Sequence, residues 1–267
     1  MIKRPKRLVL VGRSLGHSLS PTFQNAALQQ AALPLRYETL DIPASALDDV
    51  LQELAAQDAA GNVTVPHKQA VFSRCDRLMA PATRAAAVNT FWFERGELVG
   101  DNTDVAGFDA AARTLLQRPP ARLTVGLIGA GGVAGAVLTA IEAWPECRVL
   151  VSNRTPERAA ALCTRFSSFA QPSDADTIAG EADLVVNATT VGLRDGDFPI
   201  DPARLRSSAM ALDIVYRRGE TPWVHAVRAR GLRAMDGLPM LIEQGAAAFE
   251  RWFGFPPDRD VMWRSVQ

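Results

Sequence analysis

The amino-acid sequence predicts an α/β protein of two domains, the second a doubly wound, Rossmann-type sheet. Three observations predict this. The chain has 267 residues, and domains of roughly 100–200 residues make two more economical than one. Short apolar runs alternate with amphipathic stretches along most of its length, the pattern of strands alternating with helices. And the run Gly129-Ala130-Gly131-Gly132-Val133-Ala134 stands between an apolar strand pattern and an apolar helix pattern.

Composition excludes several classes of function. Hydrophobic residues make up 48% and charged residues 22%, enough to build sizeable cores. Lys+Arg and Asp+Glu are 29 each, so there is no global basic field to hold nucleic acid or an anionic membrane. Cys75, Cys147 and Cys163 are scattered and odd in number. They form no C-x-x-C pair, which argues against a disulfide framework and a structural zinc site and for a reduced, cytoplasmic setting. The basic start, Lys3 to Arg7, leads into an apolar run of about four residues, short of the roughly 7–15 of a signal peptide, and reads as a solvated tail before a first strand. Leu123 to Ile141 carries no charge, but five glycines interrupt it. A buried strand, a turn and an apolar helix explain it better than a membrane span.

In chain order, Leu8–Val11 reads as a buried strand and Pro21 opens a helix running to Ala31, with Ser20-Pro21 an adequate helix cap. Tyr37–Leu40 is a second strand. Ala44–Gln57 is helical, with Leu47, Val50, Leu51 and Leu54 on one face. Asn62-Val63-Thr64 is a short strand stopped by Pro66. Val88–Phe93 and Glu97–Val99 form a hairpin around Arg95-Gly96. These signals predict a parallel α/β unit. Asp109–Gln117 is a helix broken by Pro119-Pro120, a seam between domains that could also fall ten residues earlier. Then come strand Leu123–Ile128, helix Val133–Ala143, strand Arg148–Val151, helix Pro156–Phe166 and strands Leu184–Val186 and Ala209–Val215. This β-α-β-α-β series is that of a doubly wound sheet. His225 lies in a helix after Thr221-Pro222, with no evident partner. The last helix, Met240–Phe253, presents Leu241, Ile242, Phe249 and Trp252 on an apolar face interrupted by Gln244-Gly245.

Gly129 to Ala134 fits G-x-G-x-x-A. Glycines there allow a tight turn and let backbone N–H groups approach a pyrophosphate at a helix N-terminus. The bland alternative is an ordinary glycine-rich turn. The next strand ends in Ser152-Asn153-Arg154-Thr155, with Arg158 a turn later and no carboxylate before Glu157. An NAD site wants an acid here for the ribose 2′-hydroxyl, whereas two guanidinium groups and a hydroxyl suit a 2′-phosphate. NADP(H) is therefore favoured over NAD(H). The alternative makes Thr155 a helix cap and the arginines solvated. Asn187-Ala188-Thr189 leaves another strand at the edge where ligands bind in such sheets, or is a plain strand exit.

Polar residues also stand at the ends of apolar runs in the first half: Ser18 and Ser20, Asn62 with Thr64 and Lys68, Asn89, and Asn102-Thr103-Asp104. Tyr216 and Gln244 do so later. Oxidising an alcohol by hydride loss needs a base for the hydroxyl proton, and the reverse needs an acid. Lys68 and Asp104 can form that pair, an amine oriented by a carboxylate, although Lys68 could equally be a surface ion pair at a helix start.

Eight segments in order resemble the shikimate dehydrogenase family: Gly12-x4-His17-Ser18-x-Ser20-Pro21, Asn62-Val63-Thr64-Val65-Pro66-His67-Lys68, Ala87-Val88-Asn89-Thr90, Asp101-Asn102-Thr103-Asp104, Gly129-Ala130-Gly131-Gly132, Asn153-Arg154-Thr155, Asn187-Ala188-Thr189 and Met240-Leu241-x2-Gln244-Gly245. They run through nearly the whole chain, from Gly12 to Trp252. The resemblance implies a substrate-binding domain of residues 1–106 and 241–267 and an NADP-binding domain of residues 107–240. It implies NADPH-dependent, reversible reduction of 3-dehydroshikimate to shikimate, an oxidoreductase step of aromatic amino acid and chorismate biosynthesis, without a metal and in a monomer or homodimer. On that model Lys68 and Asp104 are the catalytic dyad. Ser18 and Ser20 hold the substrate carboxylate with Tyr216 near it, and Thr64, Asn89 and Gln244 bind ring hydroxyls. Gly129 to Ala134, Asn153, Arg154, Thr155, Arg158, Asn187, Ala188 and Thr189 bind NADP. His17 and His67 are structural. The sequence departs from the family pattern at Gln24, where many members have histidine, at Ala60, Ala86 and Val105 in place of glycines, and at Arg218 in place of a proline. Val105 and Arg218 leave open a member that prefers quinate or aminoshikimate, and a non-catalytic ligand-binding homologue is the remaining alternative.

Overall fold

A computed structural model describes residues 4–193, 197–217 and 219–267; Arg218 and the first residues of the basic tail lie outside them. The chain divides into two compact units, Met1–Gly107 with Leu241–Gln267, and Phe108–Met240.

The first unit holds β1 (Arg7–Gly12), α1 (Ser20–Gln30), β2 (Tyr37–Asp41), α2 (Leu47–Ala56), β3 (Ala59–Val63), α3 (Lys68–Phe72), β4 (Arg77–Leu78), α4 (Ala80–Ala85), β5 (Thr90–Glu94) and β6 (Glu97–Asp101). Next comes α5 (Asp104–Leu116), inside which the first boundary between units falls. The six strands form one sheet in the order β2-β1-β3-β5-β6-β4. It is mixed, which corrects the parallel unit expected. β1 pairs in parallel with β2 and β3, but β5 runs antiparallel to both β3 and β6. The cause is local. Arg95 and Gly96 both adopt positive φ, 56° and 86°, the conformation of a two-residue hairpin turn that matches strand twist.

The sequence explains most of these elements. The side chains of β1 from Leu8 to Val11 are at most 3% exposed, as expected of a strand covered on both faces. Leu47, Leu51 and Leu54 of α2 join Val9, Val11, Val63 and Phe91 in one core, with Val50 packed at its margin. Burial of each such leucine contributes about 1.5–3 kcal/mol. Residues 44–46 form a single 3-10 turn before α2. The serine cap expected for α1 is not there: Ser20 is already helical, Leu19 holds the cap position, and the Ser18 hydroxyl accepts the Ser20 N–H at 3.2 Å. Helix α5 begins five residues before the expected Asp109, because the Asn102 side chain accepts the Asp104 N–H at 3.1 Å and starts the turn early.

The second unit holds β7 (Thr124–Ile128), α6 (Ala134–Ile141), β8 (Arg148–Ser152), α7 (Pro156–Thr164), β9 (Ala170–Pro172), α8 (Ala175–Glu181), β10 (Leu184–Asn187), β11 (Met210–Asp213), α9 (Pro222–Ala229) and β12 (Arg233–Met235). Its strands run in the order β12-β11-β10-β7-β8-β9, all parallel. This is the doubly wound arrangement, whose strand order reverses between β7 and β10. The uncharged stretch from Leu123 to Ile141 becomes β7, the glycine turn and α6. No helix among the described residues is long and apolar enough to cross a membrane.

Two helices close the chain, α10 (Leu238–Phe253) and α11 (Arg259–Arg264), the latter packed on α1. Ile242, Phe249 and Trp252 of α10 are buried, as the apolar stripe requires. Gly245 interrupts the stripe for a steric reason. A Cβ there would stand 2.4 Å from Cε2 of Phe23 in α1. Gly245→Ala should therefore overpack this crossing and cost about 1–3 kcal/mol, read as a lower urea midpoint at unchanged slope.

Candidate active site

The first sheet gathers one polar edge. β1 and β3 end there, β6 runs parallel to β3 and ends there too, and antiparallel β5 starts there. Asn62, Thr90 and Asp101 stand side by side across these strands. Their neighbours in sequence land on the same edge: Ser18 and Ser20 after β1, Thr64 and Lys68 after β3, Asn89 before β5, Asp104 after β6.

Lys68 opens α3 and Asp104 opens α5. Thirty-six residues apart, they meet with Nζ donating to Oδ2 at 2.6 Å. Their side chains are 13% and 7% exposed, so this is no surface ion pair. The other oxygen, Oδ1, accepts from Asn89 Nδ2 at 2.8 Å. Asp104 also sits in the first turn of α5, where the helix dipole favours negative charge.

Asn89 is the hub. Its amide nitrogen also reaches Thr103 Oγ1 at 3.0 Å and Gln244 Oε1 at 3.2 Å, while its Oδ1 accepts the Thr103 N–H at 2.7 Å. Its backbone carbonyl accepts from Val63 N–H at 2.8 Å and from Asn62 Nδ2 at 3.0 Å. Tyr37 in turn donates to Asn62 Oδ1 at 2.7 Å. Gln244 of α10 is held by its own Nε2, which donates to the Leu241 carbonyl at 2.8 Å. The structure thus brings Lys68, Asp104, Asn89 and Gln244 into one connected group.

Ser18, Ser20 and Thr64 lie on the same edge, but among the described residues no hydrogen bond joins them to the dyad. Among the described residues their hydroxyls donate to no protein group, and that of Ser18 accepts the Ser20 N–H. His67 is buried with Nε2 3.0 Å from the Ile42 carbonyl, a packing role. Tyr216, partly buried, follows β11 in the second unit. His225 does have a partner, Glu220, whose Oε2 is 3.3 Å from its Nδ1; sequence reasoning misses the pair because Glu220 lies just before the helix start.

In the second unit the glycine turn follows β7. Gly129 has φ +110°, and a Cβ there would stand 2.9 Å from the Ala188 carbonyl oxygen, so only glycine fits. Its N–H donates to the Ser152 carbonyl at 2.7 Å, and the Ala130 N–H donates to Asn153 Oδ1 at 3.1 Å. Gly131 differs: a Cβ there would meet nothing within 4 Å. Gly131 is exposed, and the fold itself does not require glycine there. Gly132, Val133 and Ala134 lead into α6 behind it. Thr155 holds the cap position of α7, yet its hydroxyl accepts no helix N–H. Arg154 and Arg158 are exposed, and among the described residues no ion pair engages either guanidinium. These residues fit an anionic nucleotide.

Asn187 is completely buried, and its side chain is spent internally. Oδ1 accepts from Thr189 N–H at 3.0 Å and Thr189 Oγ1 at 2.7 Å; Nδ2 donates to Val191 O at 2.9 Å and Asp213 Oδ1 at 2.8 Å. It shapes the turn that carries Ala188 and Thr189. Sequence reasoning gives no role to Asp213 and Thr221, both fully buried here. The available signal was a lone acid closing an apolar strand at the ligand edge. Among the described residues no group of His, Cys, Asp and Glu could hold a metal ion.

With this geometry in hand, the similarity to known proteins is informative. Residues 10–91 match the shikimate dehydrogenase substrate binding domain, residues 111–229 the shikimate / quinate 5-dehydrogenase domain and residues 237–267 the shikimate 5'-dehydrogenase C-terminal domain. The shikimate dehydrogenase (NADP(+)) of Bacillus licheniformis is 38% identical over 95% of this chain and 93% of its own. The crystal structure of shikimate dehydrogenase from Aquifex aeolicus superposes with TM-score 0.92 at 31% identity over the full length of both chains. That of the Thermus thermophilus enzyme in complex with NADP(H) and shikimate superposes with TM-score 0.89 at 37% identity, over 97% of this chain and 98% of its own. Fold, polar edge and sequence agree: the chain belongs to the shikimate dehydrogenase family.

Proposed function

We propose that this chain catalyses the reversible NADPH-dependent reduction of 3-dehydroshikimate to shikimate, with Lys68 and Asp104 as the catalytic dyad. The observation that carries the reading is the 2.6 Å contact between Lys68 Nζ and a buried Asp104 whose second oxygen is fixed by Asn89. NADPH, when bound, supplies the hydride that the substrate carbonyl carbon accepts. Lys68 gives its proton to the carbonyl oxygen in that step and takes it back from the hydroxyl in the reverse one. Asp104 keeps the amine aimed. Asn89 and Gln244, with Thr64, bind ring hydroxyls; their mutual contact, at 3.2 Å the longest that Asn89 makes, is the one a substrate hydroxyl can replace. The hydroxyls of Ser18 and Ser20 receive the substrate carboxylate, and Tyr216 is assigned to the substrate on the resemblance alone.

The first unit is read as the substrate domain and the second as the NADP domain. Gly129 to Ala134 cradle the pyrophosphate. Asn153, Arg154, Thr155 and Arg158 meet the 2′-phosphate, and Asn187, Ala188 and Thr189 line the facing strand exit. A cytoplasmic monomer or homodimer is the working assembly. The three cysteines are unpaired thiols, and burial pushes Cys75 up to about 12 and Cys163 up to about 11, so they stay unreactive in a reducing compartment.

Three outcomes are expected. Lys68→Ala should lower kcat by about 10²–10⁴ while leaving NADP⁺ binding intact; near-wild-type turnover would remove Lys68 from the chemistry. Arg154→Ala should raise KM for NADP⁺ by about tenfold or more and leave KM for NAD⁺ nearly unchanged, as expected for loss of a hydrogen bond to a charged group. Gly131→Ala should not lower the thermal midpoint, since the methyl meets no protein atom, and should weaken both nicotinamide cofactors if the pyrophosphate lies against this turn. A panel of shikimate, quinate and aminoshikimate ranked by kcat/KM decides the substrate, with shikimate expected first.

A further inference from the structure

Two strand exits in the second unit, those of β10 and β11, meet on one carboxylate. Asp213, the last residue of β11, is fully buried. Its Oδ1 accepts from Asn187 Nδ2 at 2.8 Å and from the Val215 N–H at 3.1 Å. Its Oδ2 accepts from the Thr221 hydroxyl at 2.8 Å. Thr221 caps α9 by accepting the Val224 N–H at 3.3 Å. Through Asn187 the same carboxylate governs the turn from 188 to 191, and the Ala188 carbonyl of that turn packs directly on Gly129. So one side chain ties the exit of β10 to that of β11 and, through Ala188, to the glycine turn after β7.

Burial works against the charge of this residue. Burial pushes the Asp213 carboxyl up to about 6; Asp236 adds in the same direction, and the bonds from Thr221, Asn187 and Val215 only partly offset it. A folded-state value above the ordinary 3.8 means that the group favours the fold most below that ordinary value. The benefit is lost as pH rises through about 6. At neutral pH the ionised form therefore costs stability. What it supplies instead is an acceptor with no proton in the way, able to take three donors at once. The charged groups bearing on it are few: Asp236, itself raised by burial, and the pair Glu220 and Arg228, which act on Asp236.

We propose that Asp213 is a positioning residue for the cofactor, holding the exits of β10 and β11 in the single arrangement that receives the dinucleotide. This rests on reading that edge as the NADP site. The test is calorimetric binding of NADP⁺ and steady-state kinetics for wild type, Asp213→Ala and Asp213→Asn. Asp213→Ala should raise Kd and KM for NADP⁺ tenfold or more, and for NAD⁺ by the same factor, with kcat at saturating cofactor within threefold. Asp213→Asn, whose Oδ1 still serves Asn187 and Val215 but whose amide cannot accept the Thr221 hydroxyl, mimics the protonated acid and should lie between the two, three- to tenfold weaker than wild type at neutral pH. Below about pH 6 wild type should lose NADP⁺ affinity faster than Asp213→Asn; the 2′-phosphate titrates in both and cancels in the comparison. A folded Asp213→Ala with unchanged Kd, or an Asp213→Asn with the same acid decline as wild type, overturns the proposal. If Asp213→Ala does not fold, the Kd of Asp213→Asn at neutral pH decides, with a value equal to wild type overturning the proposal. Wild type that bound no NADP⁺ would overturn the reading of the edge itself; wild type that binds while both variants match it overturns only the role of Asp213.

Discussion

Taking an amine and a carboxylate out of water together costs several kcal/mol per ion, and only good geometry with further hydrogen bonds repays it. Lys68 and Asp104 meet that condition narrowly. One carboxylate oxygen takes the amine, the other takes the Asn89 amide, and the α5 N-terminus adds a favourable field. Much of the first unit is arranged around this need. The mixed sheet turns β5 back so that Asn89 enters beside Asn62, the early start of α5 places Asp104 above it, and α10 brings Gln244 against the same amide.

The second unit solves a similar problem in the same way. In each unit an asparagine at the polar edge of a sheet bonds an aspartate and a threonine: Asn89 with Asp104 and Thr103, Asn187 with Asp213 and Thr189. An amide can donate and accept at once, so it fixes a loop on one side and a carboxylate on the other. The difference is what each carboxylate holds. In the first unit it holds an amine, that of Lys68. In the second it is sealed in on amide, backbone and hydroxyl donors, and on the proposed reading a dinucleotide would meet backbone, Gly131 and the guanidinium groups of Arg154 and Arg158, which no ion pair engages among the described residues.

How much the sequence made legible depends on the physics of each feature. Strands buried on both faces, such as β1 and β7, are continuous apolar runs and need no tertiary information. The glycine turn is read from its glycine spacing between a strand and a helix, with Gly129 the position that sterics require, and the two arginines after β8 from the missing acid. The hairpin at Arg95-Gly96 was legible and already required an antiparallel pair; a period of two, the same in parallel and antiparallel strands, does not show that β5 also runs antiparallel to β3. Elements of two to seven residues, such as α3, β4, α4, β9, α8, β12 and α11, carry too few periodic positions to register. Asn89 could be named, but its three acceptors come from residues 14, 15 and 155 positions away, and only folding brings them together. Asp213 stayed hidden because a single acid ending a strand looks like a solvated strand end until its burial is known.

The claim on which the rest hangs is that Lys68 and Asp104 act as one unit. A double-mutant cycle on kcat measures this directly, with Lys68→Ala, Asp104→Ala and both together at saturating shikimate and NADP⁺. If the two form one dyad, the double variant should be no slower than the slower single variant, within about threefold, because either change already abolishes the oriented amine. Losses that multiply, the double variant falling by the product of the two single losses, would show two independent residues and contradict this account.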